Sequence, residues 1–142
     1  MHSIHQILEH KGNDLIWVAV GSSVYDAIHK MGEKGIGALL VMQDGKPVGM
    51  LSERDYARKV ILEGRRSRET KVEDIMSAPL ITIEGRATAD AGLALMTQHR
   101  IRHLPVVDEG EMIGLVSIGD LVNAVIDGQQ HLINELERYV HG

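Results

Sequence analysis

The amino-acid sequence predicts an α+β fold, with mixed α and β elements, in which one structural unit occurs twice. The first observation is an internal repeat, since a shift of 65 residues lays residues 16–58 over residues 81–123 without a gap. The second is the order of patterns in each copy, which is strand, helix, strand, turn, strand and helix. The third is a heptapeptide with Gly, Ser and Asp at matching positions, at residues 49–55 and again at 114–120. A tandem duplication accounts for all three observations.

The opening strand and helix of the first copy are marked by a change of hydrophobic period. Residues 17–20 form a short apolar run that predicts a strand. Ser23 and Asp26 have the spacing of a helix-capping box, so a helix is expected to begin there. Gly35 is expected to end this helix, since glycine readily adopts the left-handed conformation of a helix C-terminus. The apolar residues of the helix share one face: Val24, Ala27, Ile28 and Met31.

A hairpin and a second helix complete the first copy. Two runs rich in β-forming residues, 38–42 and 47–51, flank Asp44 and Gly45, a pair that favours a tight hairpin turn. The helix is expected over residues 52–64 and is stopped by its final glycine. The second copy repeats this order. Its expected elements after the first strand are a helix that begins at Thr88, strands at 103–107 and 112–116 joined through Glu109-Gly110, and a helix over 117–126 stopped by Gly128.

The residues outside the repeat divide the chain into two predicted domains. The first domain, residues 1–70, includes an N-terminal extension and a polar, basic linker, and the second, residues 71–142, includes a C-terminal helix. Thr70 and Glu73 have capping-box spacing and predict a short helical segment. Both ends carry apolar stripes that need a partner surface. These stripes are Ile4, Ile7 and Leu8 at the start, and Leu132, Ile133, Leu136, Tyr139 and Val140 at the end.

The composition excludes several classes of function. The chain has 142 residues and no cysteine, so it is long enough to bury a core and carries out no thiol chemistry. A formal net charge of −5 disfavours general binding to nucleic acid, which is held mainly by clustered Lys and Arg. The longest unbroken apolar run is too short to span a membrane, and the N-terminus lacks a signal pattern. We therefore expect a cytoplasmic protein that binds neither nucleic acid nor membranes.

The two heptapeptides carry the candidate chemistry. Each places a serine and an aspartate where a strand passes into a helix, namely Ser52 and Asp55, and Ser117 and Asp120. Free backbone N–H groups and the positive end of the helix dipole suit such a position to an anion. The alternative is a plain capping box, whose side chains only satisfy backbone donors, at about 1 kcal/mol each. The two roles can coexist, because a carboxylate has about four acceptor sites.

These motifs resemble those of a tandem pair of cystathionine-β-synthase (CBS) domains, known as a Bateman module. The resemblance rests on the repeated Gly-x-x-Ser-x-x-Asp, on Val72-x-Asp74-Ile75-Met76-x-x-Pro79, and on His103-Leu104-Pro105-Val106-Val107. It implies two units that pack sheet to sheet about a pseudo-twofold axis and leave two clefts for adenosine-containing ligands. By match, the aspartates of the heptapeptides would hold ribose hydroxyls and their serines would help to hold phosphate.

The second copy has further candidate residues that the first lacks. Arg102 and His103 stand before Pro105 at the start of a strand, where cations would face a nucleotide phosphate, and a solvated strand end is the alternative. Thr82 lies at the predicted first strand of this copy. The aligned residues of the first copy are Gly37, Ala38, Leu40 and Trp17. The two clefts are therefore expected to differ in affinity or in ligand. His99 and His103 are not expected to form a metal site, because the strand pattern separates them.

Three functions compete at this stage. The first is a sensor that binds AMP or a related nucleotide (NAD(H), ADP or ATP) and reports its occupancy to an effector protein by a change of shape. The second is a scaffold or dimerisation module that acts through its terminal helices. The third, an enzyme, is disfavoured because no base and nucleophile are placed together. The C-terminal apolar stripe and the resemblance both lead us to expect a homodimer.

Overall fold

The computed structural model describes residues 2–12 and 14–141 and divides into two compact units. The first unit spans Leu15–Ile81 and contains the first sequence repeat. The second unit combines the N-terminal segment, up to Asp14, with the part of the chain that begins at Thr82. Each unit therefore contains one repeat and a segment from outside it.

Main-chain hydrogen bonds attach each outside segment to its unit. In the first unit the N–H of Val72 donates to the carbonyl of Ser22, and the N–H of Val24 donates to the carbonyl of Thr70, at 3.0 and 2.8 Å. In the second unit the N–H of Ile4 donates to the carbonyl of Ala87 at 2.8 Å. The boundaries of the compact units thus differ from those of the predicted sequence domains, 1–70 and 71–142. The division into sequence domains remains a prediction.

The first unit contains a three-stranded sheet, two helical segments and a 3₁₀ turn. Its elements are β1 (Trp17–Ala19), α2 (Val24–Lys34), β2 (Ala38–Gln43), β3 (Lys46–Ser52), α3 (Glu53–Tyr56) with a π-helical continuation (Ala57–Ile61), and a 3₁₀ turn (Val72–Asp74). The second unit has α1 (Ile4–Lys11), β4 (Ile83–Glu84), α4 (Ala89–His99), β5 (His103–Asp108), β6 (Glu111–Ser117) and α5 (Ile118–His141). This mixed α/β content confirms the predicted fold class.

The two sheets have the same topology. The strand order is β1-β2-β3 in one and β4-β5-β6 in the other, with a parallel first pair and an antiparallel hairpin. Both hairpins turn through the predicted dipeptides, and all four turn residues have positive φ. They are Asp44 (50°), Gly45 (78°), Glu109 (50°) and Gly110 (81°). A register shift occurs at equivalent points, after Val41 and after Val106.

The predicted N-terminal amphipathic segment is the helix α1. Ser3 caps it, since its Oγ accepts the N–H of Gln6 while the Gln6 side chain accepts the N–H of Ser3. The three apolar residues of the stripe, Ile4, Ile7 and Leu8, are buried. The N-terminal segment is thus held to the second unit by both main-chain hydrogen bonds and apolar packing.

Two sequence predictions about helix boundaries are wrong. Gly128 does not stop the last repeat helix, because α5 continues through it to His141. A glycine inside a helix costs only about 1 kcal/mol, and side-chain pairs at i,i+4 spacing follow it, including His131 with Glu135 at 3.1 Å.

Among the described residues, no helix combines the length and the apolar character that crossing a bilayer demands.

Thr70 and Glu73 do not form the predicted capping box. The Thr70 hydroxyl donates to the carbonyl of Arg66 at 2.7 Å, and the Glu73 carboxylate accepts the N–H of Gly21 at 3.0 Å. The 3₁₀ turn has Lys71 at its N-cap position, with no side-chain capping bond. Both side chains satisfy backbone groups elsewhere in the first unit, so the local spacing was misleading.

Candidate functional site

The serine and aspartate of each heptapeptide cap the helix that follows. Ser52 and Ser117 each accept the N–H of the aspartate three residues later, at 3.1 and 3.2 Å. In return, Asp55 and Asp120 accept the N–H of their serines, at 3.0 and 2.8 Å. The capping role is therefore present in both units. It leaves the carboxylates with acceptor sites beyond those that the cap uses.

The glycine of each heptapeptide permits close packing of the outside segment. A Cβ atom on Gly114 would lie 2.7 Å from a methyl group of Leu8 on α1. A Cβ atom on Gly49 would collide with the side chain of Met76 and lie 3.1 Å from the carbonyl oxygen of Ser77. In both units another segment of the chain therefore approaches the backbone closely at this glycine. This approach brings the outside segment next to the motif aspartate in both units.

In the second unit, the N-terminal segment contributes a cation to the motif. The Lys11 ammonium donates to Asp120 Oδ2 at 2.6 Å and to the carbonyl of Leu115 at 2.9 Å. Lys11 is not among the residues predicted from the sequence, because it lies outside the repeat. A signal was available, since Lys11 continues the helical spacing of Ile4, Ile7 and Leu8 and therefore lies on the inward face of α1.

The pKa values of this cluster are shifted. Burial alone would raise the pKa of Asp120, but the hydrogen bonds from Lys11 and Ser117 outweigh burial and hold the pKa of this carboxyl below its ordinary value. Burial lowers the pKa of His103, and the charges of Lys11 and Arg102 lower it further, against the opposing effect of Asp120. At neutral pH the carboxylate is therefore ionised, while His103 is mainly a neutral donor and acceptor rather than the predicted cation.

The structure brings only part of the predicted set together. His103 begins β5 and lies opposite Ser117 on β6 in the strand register. Arg102 precedes it with an exposed side chain, and its carbonyl accepts the N–H of Ile118 at 2.8 Å. Arg102 therefore fixes the start of α5 through its backbone and leaves its guanidinium in solvent. Arg100 ends α4 in the left-handed conformation, with a φ of 56°.

Thr82 was expected on the first strand of the second copy, but it lies outside β4. Pro105 explains this difference. Pro105 is buried in the central strand β5, and it has no N–H to donate. The aligned Leu40 of the first unit donates its N–H to the carbonyl of Ile16 at 3.1 Å and so extends the pairing with β1. Without that bond, β4 begins only at Ile83. Thr82 lies just before the strand and is exposed.

The first unit surrounds its motif aspartate differently. Asp55 Oδ2 also accepts the Ser52 hydroxyl at 3.0 Å, and Oδ1 contacts the Ser77 hydroxyl at 3.3 Å and the Lys59 ammonium at 3.2 Å. Lys59 belongs to the same helical segment, four residues on, and donates to the carbonyl of Ile75 at 3.0 Å. Both oxygens of Asp55 are thus engaged. Its side chain is 14% exposed, compared with 24% for Asp120.

Trp17 is a surface residue rather than part of the first unit's core. Its side chain is exposed on β1. The Lys30 ammonium lies 5.7 Å from the ring centroid and donates to the Trp17 carbonyl at 2.7 Å. The ring therefore has an accessible aromatic surface with a cation beside it.

An open pocket of about 470 Å³ lies between α1 and α5 in the second unit. Asp120 and Lys11 line it, so the motif aspartate faces a space of the size that small-molecule sites occupy. Its other lining residues are His2, Gln6, Ile7, His10, Asn123, Ala124 and Asp127. The part of the chain that the structure describes contains no cluster of three or more His, Asp or Glu residues suited to a metal ion.

Both repeats match the family model of the CBS domain, over residues 9–62 and 72–127. The chain belongs to the CBS-domain family. It is 38% identical to the mitochondrial CBS domain-containing protein CBSX3 of Arabidopsis thaliana, across 99% of this chain and 72% of the relative. A CBS domain-containing protein of Bacillus subtilis is 34% identical, across 73% of this chain and 74% of its own length.

A solved structure extends the comparison to three dimensions. It is a protein with CBS domains from Burkholderia ambifaria, described as a signal-transduction protein, and it is 50% identical to this chain. The TM-score is 0.86, with 90% of this chain and 96% of that chain covered. The resemblance seen in the sequence motifs is therefore confirmed, and the protein is a tandem CBS module. The site residues themselves remain predictions.

Proposed function

We propose that this CBS module is a regulatory sensor that binds an adenosine-containing nucleotide and signals by a change of conformation. AMP is the first candidate, and NAD(H), ADP and ATP are the related ones. The signal-transduction description of the Burkholderia relative supports the regulatory part of the proposal. No reaction is assigned to the protein, because two equivalent carboxylates at helix starts suit recognition rather than catalysis.

The observation that carries the proposal is the setting of Asp120. Its carboxylate lies at the start of α5, is held ionised, and faces the pocket of about 470 Å³. An ionised carboxylate only accepts hydrogen bonds, and the two hydroxyls of a ribose are neighbouring donors. Because the cap and Lys11 use Oδ2, the Oδ1 atom is the natural acceptor for a ribose.

The remaining predicted residues have roles that follow from their positions. Ser117 and His103 face each other across β5 and β6, and they offer a hydroxyl and a neutral imidazole beside the carboxylate. Arg102 can swing its exposed guanidinium towards a phosphate. Pro105 shapes the strand, and Thr82 adds a hydroxyl just before β4. In the first unit, Ser52 and Asp55 hold the equivalent place.

A thermal-shift screen tests the proposal. The ligands are AMP, adenosine, ADP, ATP and NAD(H), each up to millimolar concentration, and guanosine monophosphate is the control for general nucleotide binding. A ligand at 100 times its dissociation constant stabilises the protein by about 2.7 kcal/mol. We expect AMP to raise the melting temperature and the guanine nucleotide to leave it unchanged. If none of the adenosine ligands raises it, the proposal fails.

A second function, that of a scaffold, is favoured by the C-terminal half of α5. Its apolar residues are exposed, with Leu136 at 57% and Tyr139 at 89%. We propose that this stripe pairs two copies into a homodimer, the arrangement most common among soluble oligomers. Leu136→Lys should then reduce the mass measured by light scattering to that of a monomer, whereas Glu137→Lys, an exposed charge reversal beside it, should leave it unchanged. A monomeric wild type contradicts this.

Two further parts of the proposal concern the cellular setting. We propose that a protein effector reads the conformational change. The cytoplasmic location remains a prediction, and the Arabidopsis relative carries a mitochondrial name. Fractionation of cells that express a tagged chain would test the location.

A further inference from the structure

The N-terminal segment places a fixed ammonium group at the candidate site of the second unit. Lys11 has three N–H donors, and two of them are used, by Asp120 Oδ2 at 2.6 Å and by the carbonyl of Leu115 at 2.9 Å. The carbonyl anchors the ammonium independently of the carboxylate. Because Lys11 also lines the pocket, its third donor is available to a bound molecule.

The positive charge of Lys11 acts on both Asp120 and His103. It contributes to the lowered pKa values of both Asp120 and His103, so it acts electrostatically on both sides of the motif. His103 is mainly neutral at neutral pH, and Arg102 is exposed. Lys11 is therefore the cation that is already in place beside the carboxylate. The start of α5, where Asp120 lies, adds the positive end of the helix dipole to this field.

We propose that Lys11 is a specificity-determining residue of the second unit, where it selects nucleotides that carry a phosphate over the corresponding nucleoside. This inference rests on the proposed function. Asp120 by itself would accept ribose hydroxyls but would repel a phosphate attached a few bonds away. With Lys11 paired to it, the carboxylate is neutralised on one oxygen, and the ammonium adds a charge-assisted hydrogen bond to the phosphate.

The helix α1 holds Lys11 in this position. Ile4, Ile7 and Leu8 are buried in the second unit, and Leu8 packs on Gly114, the first residue of the heptapeptide. The ammonium is thus supplied by a segment that precedes the first repeat and packs on the second. In the first unit the corresponding lysine, Lys59, comes from the motif helix itself.

Calorimetric titration with AMP and with adenosine tests the inference. All variants are made in an Asp55→Asn background, so that the first unit's site is weakened. They are Lys11→Met, which removes the charge at similar length, Lys11→Arg, which keeps it, and Lys46→Met, a matched loss of charge on an exposed hairpin. We expect Lys11→Met to lower the ratio of AMP affinity to adenosine affinity about tenfold, as loss of one charge-assisted hydrogen bond implies. The other two variants should keep the ratio within about threefold of the background.

The contrary outcomes are distinct. Equal losses for AMP and adenosine in Lys11→Met, or no loss, would show that Lys11 only supports the structure. Tighter binding in Lys11→Met would show that Lys11 competes with the ligand. Binding in the wild type that disappears in the background would place the site in the first unit alone and overturn the inference. A wild type that binds neither AMP nor adenosine would contradict the proposed function itself, and the inference with it.

Discussion

The two Ser-x-x-Asp motifs form the same cap but receive different partners from the rest of the chain. Asp55 receives a cation from its own helical segment and a hydroxyl from Ser77, and both of its oxygens are engaged. Asp120 receives its cation from Lys11, which lies 109 residues away. The duplicated motif has therefore kept its local geometry, while the segments that pack against it have diverged.

This comparison changes the reason for expecting two unequal sites. The sequence indicated that Arg102 and His103 would make the difference, since Gly37 and Ala38 replace them in the first copy. In the structure Arg102 is exposed and His103 is mainly neutral at neutral pH. The larger difference comes from the outside segments, which contribute Lys11 to one motif and Ser77 to the other. The asymmetry itself remains a prediction about binding.

The largest expected effect is the loss of binding in Asp120→Ala. Removing the carboxylate leaves ribose hydroxyls without an acceptor, at a cost of about 1 to 3 kcal/mol, and leaves the Lys11 ammonium with only the Leu115 carbonyl as its partner. Titration calorimetry with AMP should show that the tighter site is lost, whereas Asp55→Ala should remove only the weaker one. Asp120→Asn is the control that keeps the shape of the side chain. Retention of both sites in Asp120→Ala would refute the ribose role.

The second expected effect is on stability, in Gly114→Ala. The added methyl group would lie 2.7 and 2.9 Å from the two terminal carbons of Leu8, which is buried and cannot easily move. Overpacking of this kind costs about 1 to 3 kcal/mol. Leu8 belongs to α1, the helix that also contains Lys11. Displacement of Leu8 should therefore also lower the preference for AMP over adenosine.

Gly128→Ala provides the contrast for that measurement. Gly128 lies inside α5, and a Cβ atom there would meet nothing within 4 Å. The substitution should therefore stabilise the protein by up to about 1 kcal/mol, through helix propensity alone. Urea unfolding monitored by circular dichroism measures both variants. An unchanged midpoint in Gly114→Ala would mean that α1 is free to shift away from the motif.

The elements that could be predicted are those specified by neighbouring residues. The Asp44-Gly45 turn, the Ser23 cap and the stripe of α1 each depend on a few adjacent side chains, and all three are present in the structure. Thr70 and Glu73 show the limit of such reasoning. Their spacing fits a cap, but each finds another backbone partner within the folded unit.

The candidate site could be predicted only in part, for the same physical reason. The pairing of Ser117 with Asp120 is local and was expected from their spacing. The pairing of Lys11 with Asp120 depends on where α1 packs, which the pattern of the repeat does not encode. The continuation of α5 through Gly128 was missed because a glycine is a weak stop when the following residues favour a helix.

The smallest expected effect is a pH dependence that arises at the motif of the second unit, from His103. His103 titrates at 6.5 when unperturbed, and its pKa is lowered in the folded protein, first by burial and then by Lys11 and Arg102, while Asp120 opposes them. Since the unfolded chain takes up this proton at a higher pH than the folded protein, the stability contribution is complete above pH 6.5 and falls as the pH is lowered through that value towards the folded pKa. The aligned Ala38 of the first unit cannot titrate.

Nuclear magnetic resonance can follow this titration through the Hε1 proton of His103, assigned by comparison with His103→Gln. The folded protein should show a His103 pKa below its ordinary value, and Lys11→Met should raise this pKa because one of the lowering charges is removed. Lys46→Met, which removes a charge from an exposed hairpin, is the control and should leave the His103 pKa unchanged. If the His103 pKa is the same with and without Lys11, the ammonium does not act on the motif in solution, and the difference between the two sites must come from the Asp55 side.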